Sequence, residues 1–284
     1  MRIHHLNCGT DCPFGGAFFD GRSKGLTGRL VCHCLLIETE AGLVLVDTGY
    51  GLRDVDHPHR QPDPRITRTM RSLLNIKLRE EETAIRQIER LGFSPADVRH
   101  ILLTHLDFDH AGGLEDFPHA TIHLMDAEFS AATDPRKGFV PRNRYRPAQY
   151  NEVEHWRRYS GNGESWFGFP AVRALEGLPP EILFVSLPGH TWGHAGIAIQ
   201  TGDGWFLHAG DAYFYRGEVG SPDYSCPPGL RGYQRLREVD RAARLRNQER
   251  IRELSLAHGD DIRIFCAHDP VEFDILAAQD RATA

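Results

Sequence analysis

Short apolar runs, each ending at Gly, Asp or His, alternate along the chain with charged stretches of helical period. Val31 to Ile37 and Leu43 to Asp47 are two such runs on either side of Glu40-Ala41-Gly42, and they predict a hairpin of strands with a glycine-containing turn. His100 to Thr104 predicts another short buried strand, and Asp261 to Ala267 the last one. Elsewhere the period changes. Within Glu80 to Leu91, Ile85, Ile88 and Leu91 recur at helical spacing before Gly92, which predicts an amphipathic helix and its stop. Ser94-Pro95-Ala96-Asp97 reads as a further helix start with proline at its first position. Arg231 to His258 predicts a long charged helix, whole or broken, with Leu236, Val239, Ala243, Ile251 and Leu254 as its apolar stripe. Helices that feed short buried strands are what a layered α/β fold requires.

The chemistry gathers where the apolar runs stop. Thr104-His105-Leu106-Asp107-Phe108-Asp109-His110-Ala111-Gly112-Gly113 places four potential metal ligands within six residues. Imidazoles and carboxylates crowded in this way repel or desolvate one another unless a cation holds them. Three later segments share the pattern of an apolar run ending in His or Asp beside Gly or Ala. They are Leu187-Pro188-Gly189-His190-Thr191-Trp192-Gly193-His194, Phe206-Leu207-His208-Ala209-Gly210-Asp211-Ala212 and Ile264-Phe265-Cys266-Ala267-His268-Asp269. Several strand ends therefore deliver ligands to one rim, the place where a rigid scaffold presents chemistry.

That order of motifs resembles the metallo-β-lactamase superfamily, whose pattern is His-x-His-x-Asp-His, then a later His, a later Asp and a final His. The resemblance runs from Asp47, in Leu45-Val46-Asp47-Thr48-Gly49, to His268. With the Leu6-Asn7-Cys8-Gly9 opening, the chain is most similar to the N-acyl-homoserine-lactone lactonase branch. The resemblance implies a four-layer αβ/βα sandwich, with two mixed β-sheets flanked by helices. It also implies two divalent metal ions, zinc before others. His105, Asp107 and His190 would hold one, Asp109, His110 and His268 the other, and Asp211 would bridge both. Asp47 would support the ligands without binding metal, and His194 and His208 would stand behind them. The implied reaction is attack of a hydroxide shared by the metals on a lactone or other ester-like carbonyl, with Asp109 as proton carrier. The alternatives are a thioester hydrolase of the hydroxyacylglutathione type and an iron-dependent redox enzyme of the same fold.

Two positions depart from the family pattern. Asp107 stands where His is usual. Counting two divalent cations, three ligand carboxylates and a hydroxide, the formal sum is about zero, against about plus one with His. That predicts less acidic bound water and a site friendlier to iron or manganese. The second departure is Phe214, where lactonases of this branch have a tyrosine that contacts substrate. Tyr213 and Tyr215 flank it and either take over that contact or merely pack.

The chain has 284 residues, enough for one large α/β domain or two small ones. Nothing marks an internal boundary, so it reads as one domain over 1–284 with a lid or insertion at 134–170. That segment carries Arg136, Lys137, Arg142, Arg144, Arg146, Arg157 and Arg158 among Phe139, Tyr145, Tyr150, Trp156, Tyr159 and Trp166. It reads equally as a pocket wall for an anionic or amphiphilic substrate and as a surface insertion or dimer contact. A net charge of −6 and a pI of about 6.2 argue against a nucleic-acid partner. No apolar run approaches a membrane span and no export signal is visible, so the expectation is a cytoplasmic enzyme with a small-molecule substrate. Its oligomeric state is open. The cysteines, Cys8, Cys12, Cys32, Cys34, Cys226 and Cys266, lack paired CxxC spacing and read as reduced thiols. His4, His5, His57, His59, His119, His123, His155 and His258 have no partner motif and read as surface or core histidines.

Overall fold

The computed structural model describes residues 1–56, 66–134, 144–161 and 163–283. Arg136, Lys137, Phe139, Arg142, His57 and His59 lie outside the described residues. The first sheet contains β1 (Arg2–Asp11), β2 (Leu30–Thr39), β3 (Gly42–Val46), β4 (Ile76–Lys77), β5 (Val98–Leu102), β6 (Thr121–Met125) and β7 (Trp156–Tyr159), in the order β4-β1-β2-β3-β5-β6-β7. The second contains β8 (Ser165–Trp166), β9 (Phe169–Val172), β10 (Ile182–Ser186), β11 (Ala195–Thr201), β12 (Gly204–His208) and β13 (Ile262–Phe265), in the order β13-β12-β11-β10-β9-β8. Both sheets are mixed. β1, β2 and β3 pair antiparallel and β3, β5, β6 and β7 parallel, while β12 and β13 make a parallel pair on an otherwise antiparallel sheet.

The central strands are apolar on both faces because each face meets a different core. Leu35 and Ile37 of β2, and Val44 and Val46 of β3, pack between the sheets against Ile182, Phe184, Ile197 and Ile199. Their neighbours Cys34, Leu36, Leu43 and Leu45 face outward onto Ala84 and Ile88 of the helix Ala84–Arg90. On the other sheet Leu183, Val185 and Ala198 face outward onto Ile251 and Leu254 of the helix Arg241–His258. Period-two side-chain alternation thus divides one apolar run between two cores. The result is the four-layer αβ/βα sandwich with two mixed sheets.

The hairpin, with Leu35 opposite Val46, and the strand before His105 form as their patterns require. Other elements differ. Ser94 to Asp97 makes a single 3-10 turn in which the Ser94 hydroxyl accepts from Ala96 N; it is not a new helix. The Glu80–Leu91 region divides into a 3-10 turn and the helix Ala84–Arg90, and Leu91 is exposed. The long charged helix is two helices, Pro228–Arg237 and Arg241–His258. The break follows from hydrogen bonding: Val239 N and Asp240 N both donate to Gly189 O, and the Asp240 carboxylate caps Ala243 N. Leu236 therefore leaves the apolar stripe and is exposed. The 134–170 segment is not a single insertion either. β7 extends the first sheet, and β8, with the buried Trp166, begins the second.

Two pairs of histidines meet through their ring nitrogens at tilted planes, His5, His33 and His123 buried and His100 half-buried. His5 Nδ1 lies 2.7 Å from His33 Nε2, and His100 Nδ1 lies 2.9 Å from His123 Nε2, whose other nitrogen is 2.8 Å from the Tyr159 hydroxyl. Burial first, and then His208 for His5 and His100 for His123, push the two rings down to about 3. These rings stay neutral where the unfolded chain would be protonated, so their contribution is complete above pH about 6.5 and is lost as pH falls toward 3. Urea midpoints measured from pH 7.5 to 4 should fall steadily. His123→Phe should flatten that slope while costing about 1–3 kcal/mol at neutral pH through the orphaned partners. An unchanged slope would exclude His123 as a contributor.

Candidate metal centre

The ends of β3, β5, β12 and β13 and the β10–β11 loop meet at one rim of the sandwich and bring Asp47, the 105–110 loop, Asp211, His268 and His190 together. Backbone bonds join the loops: Ala195 N donates to Thr104 O, Thr48 N to His110 O and Ala267 N to Gly210 O. Gly210 adopts φ +54°, and a Cβ there would fall 2.6 Å from His194 Nε2. Glycine is thus required where the turn presents Asp211 against that imidazole. His194 Nε2 accepts from Asp211 N at 2.8 Å while its Nδ1 donates to Leu187 O. His208 accepts from Gly210 N and donates to His33 O. Both hold the Asp211 loop and neither belongs to the ligand groups.

Three of the four candidate imidazoles, His105, His110 and His268, are aimed from behind. Asp47 accepts from Thr104 N, from the Thr104 hydroxyl and from His110 Nδ1 at 2.8 Å. His105 Nδ1 lies 3.0 Å from the same Thr104 hydroxyl. His268 Nδ1 donates to Val31 O at 2.8 Å. These bonds leave Nε2 of all three rings facing the rim, the outer-sphere pattern that orients metal-binding histidines. Burial opposes charge on Asp47, but the contact with His110 outweighs it and holds the carboxyl below its usual range.

Asp211 lies at the middle. Its Oδ1 is 3.3 Å from His110 Nε2 and 3.1 Å from His268 Nε2; its Oδ2 is 3.2 Å from His190 Nε2 and 3.7 Å from His105 Nε2. Candidate ligand atoms fall into three overlapping groups: His105, Asp107 and His190; His105, His110 and Asp211; and Asp109, His110 and His268. His105 Nε2, His110 Nε2 and Asp211 Oδ1 are buried without a hydrogen-bond partner. Unpaired polar atoms converging on one buried spot are costly, and a cation satisfies all of them. The nitrogen and carboxylate donors suit zinc, iron or manganese.

Sequence reasoning missed what surrounds Asp107. Arg144 Nε and Nη2 donate to its two oxygens at 2.6 and 2.7 Å, and Arg237 Nη2 adds a contact at 3.1 Å. Burial would raise the Asp107 carboxyl, but Arg144 and then Arg237 outweigh it and hold it well below the carboxylate range. The expectation of a less positive site counted only the ligands. The two guanidiniums add two positive charges beside Asp107 that this count left out. Arg144 had a signal, its place in the arginine-rich segment; Arg237 was hidden in the charge of a long helix. Glu128 was missed as well. Fully buried, it accepts from Leu106 N and Gly193 N at 3.1 Å each and ties the first motif to the Gly-His loop.

Neither flanking tyrosine lines the metal centre. Tyr213 is buried in the second sheet's outer core and donates to Glu272 at 3.0 Å. Tyr215 carries the Arg216 guanidinium on its ring. Phe214 itself reaches the site, stacking on His268 at 4.8 Å and approaching His190 at 5.7 Å. Beside Arg144 and Arg237 opens a cavity of about 390 Å³ walled by Tyr145, Trp192, Leu236 and Val239.

Residues 27–124 match the family profile described as the metallo-beta-lactamase superfamily. The chain is 40% identical over 270 residues to a probable metallo-hydrolase of Mycobacterium tuberculosis, covering 95% of this chain and 81% of that protein. It is 29% identical over 238 residues to an N-acyl homoserine lactonase of Bacillus cereus, covering 80% and 86%. Among solved structures, an N-acyl homoserine lactone hydrolase with N-hexanoyl-L-homoserine at its catalytic metal center superposes with a TM-score of 0.65 at 21% identity, covering 96% of this chain and 95% of that one. The fold, the order of the candidate ligands and this relationship place the chain in the metallo-β-lactamase superfamily, as a metal-dependent hydrolase. No described helix is long and apolar enough to cross a membrane.

Asp47→Asn would set an amide NH₂ or a rotated oxygen against His110 Nδ1. It should weaken metal binding about 10- to 100-fold, read by competition with a chromophoric chelator, with the far-UV spectrum preserved. Undiminished affinity would show that Asp47 does not orient the ligand.

Proposed function

We propose that this protein opens a lactone, or a closely related ester, of a small acylated substrate, using two divalent metal ions with zinc foremost. The observation that carries the reading is Asp211, whose two carboxylate oxygens each face a different pair of imidazoles. His105, Asp107 and His190 are the proposed ligands on one side, and Asp109, His110 and His268 on the other. Bound there, divalent metals would acidify water and polarise the carbonyl under attack. The B. cereus relative supplies the lactone as first substrate to try.

The chain's own residues supply the rest. Asp109 retains slight exposure at the rim, with Oδ2 3.8 Å from His268 Nε2, and is assigned the proton for the leaving alkoxide. Phe214 covers His268 and keeps water from that side. The cavity walled by Trp192, Leu236 and Val239 accepts an apolar acyl chain, and Trp192 and Leu236 are exposed where such a chain would lie. Tyr213 and Tyr215 have no part in substrate binding on this reading.

A panel of N-acyl homoserine lactones and glutathione thioesters, assayed after chelation and after zinc, manganese or iron return, tests the proposal. Lactone opening should disappear on chelation and return best with zinc. Asp109→Asn, assayed at saturating metal and normalised to the metal bound, should lower kcat by about 10²- to 10⁴-fold. Thioester cleavage without lactone opening would replace the substrate assignment with the hydroxyacylglutathione type.

A further inference from the structure

We propose that Arg144 is a resident cation at one of the two metal positions, and that a metal reaches Asp107 and His190 only by displacing its guanidinium. The inference rests on the metal-dependent reading above and deepens it. Arg144 uses all five of its N–H donors there. Nε donates to Asp107 Oδ1 at 2.6 Å, and Nη2 to Asp107 Oδ2 at 2.7 Å and to His190 Nε2 at 2.6 Å. Nη1 donates to His190 O at 3.0 Å and to Arg237 O, the last carbonyl of its helix, at 2.7 Å. Two of the three ligand side chains on this side are therefore already satisfied by a buried positive charge. Arg144 is 5% exposed and Asp107 3%, so water does not weaken the pair.

The other side differs. His110 Nε2 and His268 Nε2 face only carboxylates, Asp211 Oδ1 at 3.3 and 3.1 Å and, for His268, Asp109 Oδ2 at 3.8 Å. Among the described residues no guanidinium donates to these atoms. A metal entering between Asp109, His110, His268 and Asp211 replaces only the contacts of the two imidazoles to Asp211, at 3.3 and 3.1 Å, whereas one entering between His105, Asp107 and His190 must break the five-bond Arg144 clamp. Loading is therefore ordered. The displaced side chain has somewhere to go, because Arg144 already lines the 390 Å³ cavity next to the site. Asp107 would keep Arg237 as a partner.

Full-length protein stripped by chelator and titrated with zinc against a chromophoric chelator tests this. Wild type should bind a first equivalent at least tenfold more tightly than a second. Arg144→Gln should tighten the second equivalent at least tenfold and leave the first within about threefold. Arg144→Lys, which keeps the charge but not the fork, should fall between and serves if the glutamine variant does not fold. Two equal tight equivalents in wild type, or a second equivalent no tighter in both variants, would overturn the role of Arg144 while leaving the hydrolase reading intact. Absence of tight zinc in every form would overturn both.

Discussion

Burying three carboxylates and four imidazoles at the rim of a sandwich demands positive charge among them, and the rest of the site follows from how that charge is supplied. Isolated ionised groups in such surroundings are strongly disfavoured. The fold meets the demand in two ways. Around Asp211 it leaves unpaired nitrogens and oxygens aimed at a common point, where a metal fits. Around Asp107 it inserts guanidiniums from two distant parts of the chain, residues 144 and 237. Asp47, itself fully buried, extends the arrangement one layer inward by fixing Thr104 and His110 together.

This division changes the meaning of the aspartate at position 107. Read from ligands alone, it lowers the charge of the site. In place, it is one half of an arginine clamp that also holds the helix Pro228–Arg237 and the His190 loop through their carbonyls. The same residue thus joins the rim to the wall of the apolar cavity, through Arg144 and Arg237, which line both. Glu128 ties two motif loops together through their backbone amides.

Much of this was legible in the sequence. The apolar runs around Val31–Ile37 and Leu43–Asp47 are two-sided because they lie between two cores, and that same continuity made them conspicuous. The motif spacing showed which strand ends bring His and Asp to one rim, since side chains one and two residues apart on a loop need no tertiary knowledge. What escaped depended on partners far along the chain. The helix break at Glu238–Asp240 exists because Gly189 O accepts two amides there. Arg144 looked like any arginine of a charged segment, and its role exists only once Asp107 stands 2.6 Å away. The tyrosines beside Phe214 were reasonable by proximity, yet strand-end geometry turns Tyr213 into the core and leaves Phe214 on His268.

Anomalous diffraction at the zinc edge, from crystals grown with one molar equivalent of zinc, tests the account most directly. The account predicts a single peak between Asp109, His110, His268 and Asp211, with the Arg144 guanidinium still on Asp107. A peak between His105, Asp107 and His190, with Arg144 turned away and the other position empty, would contradict it.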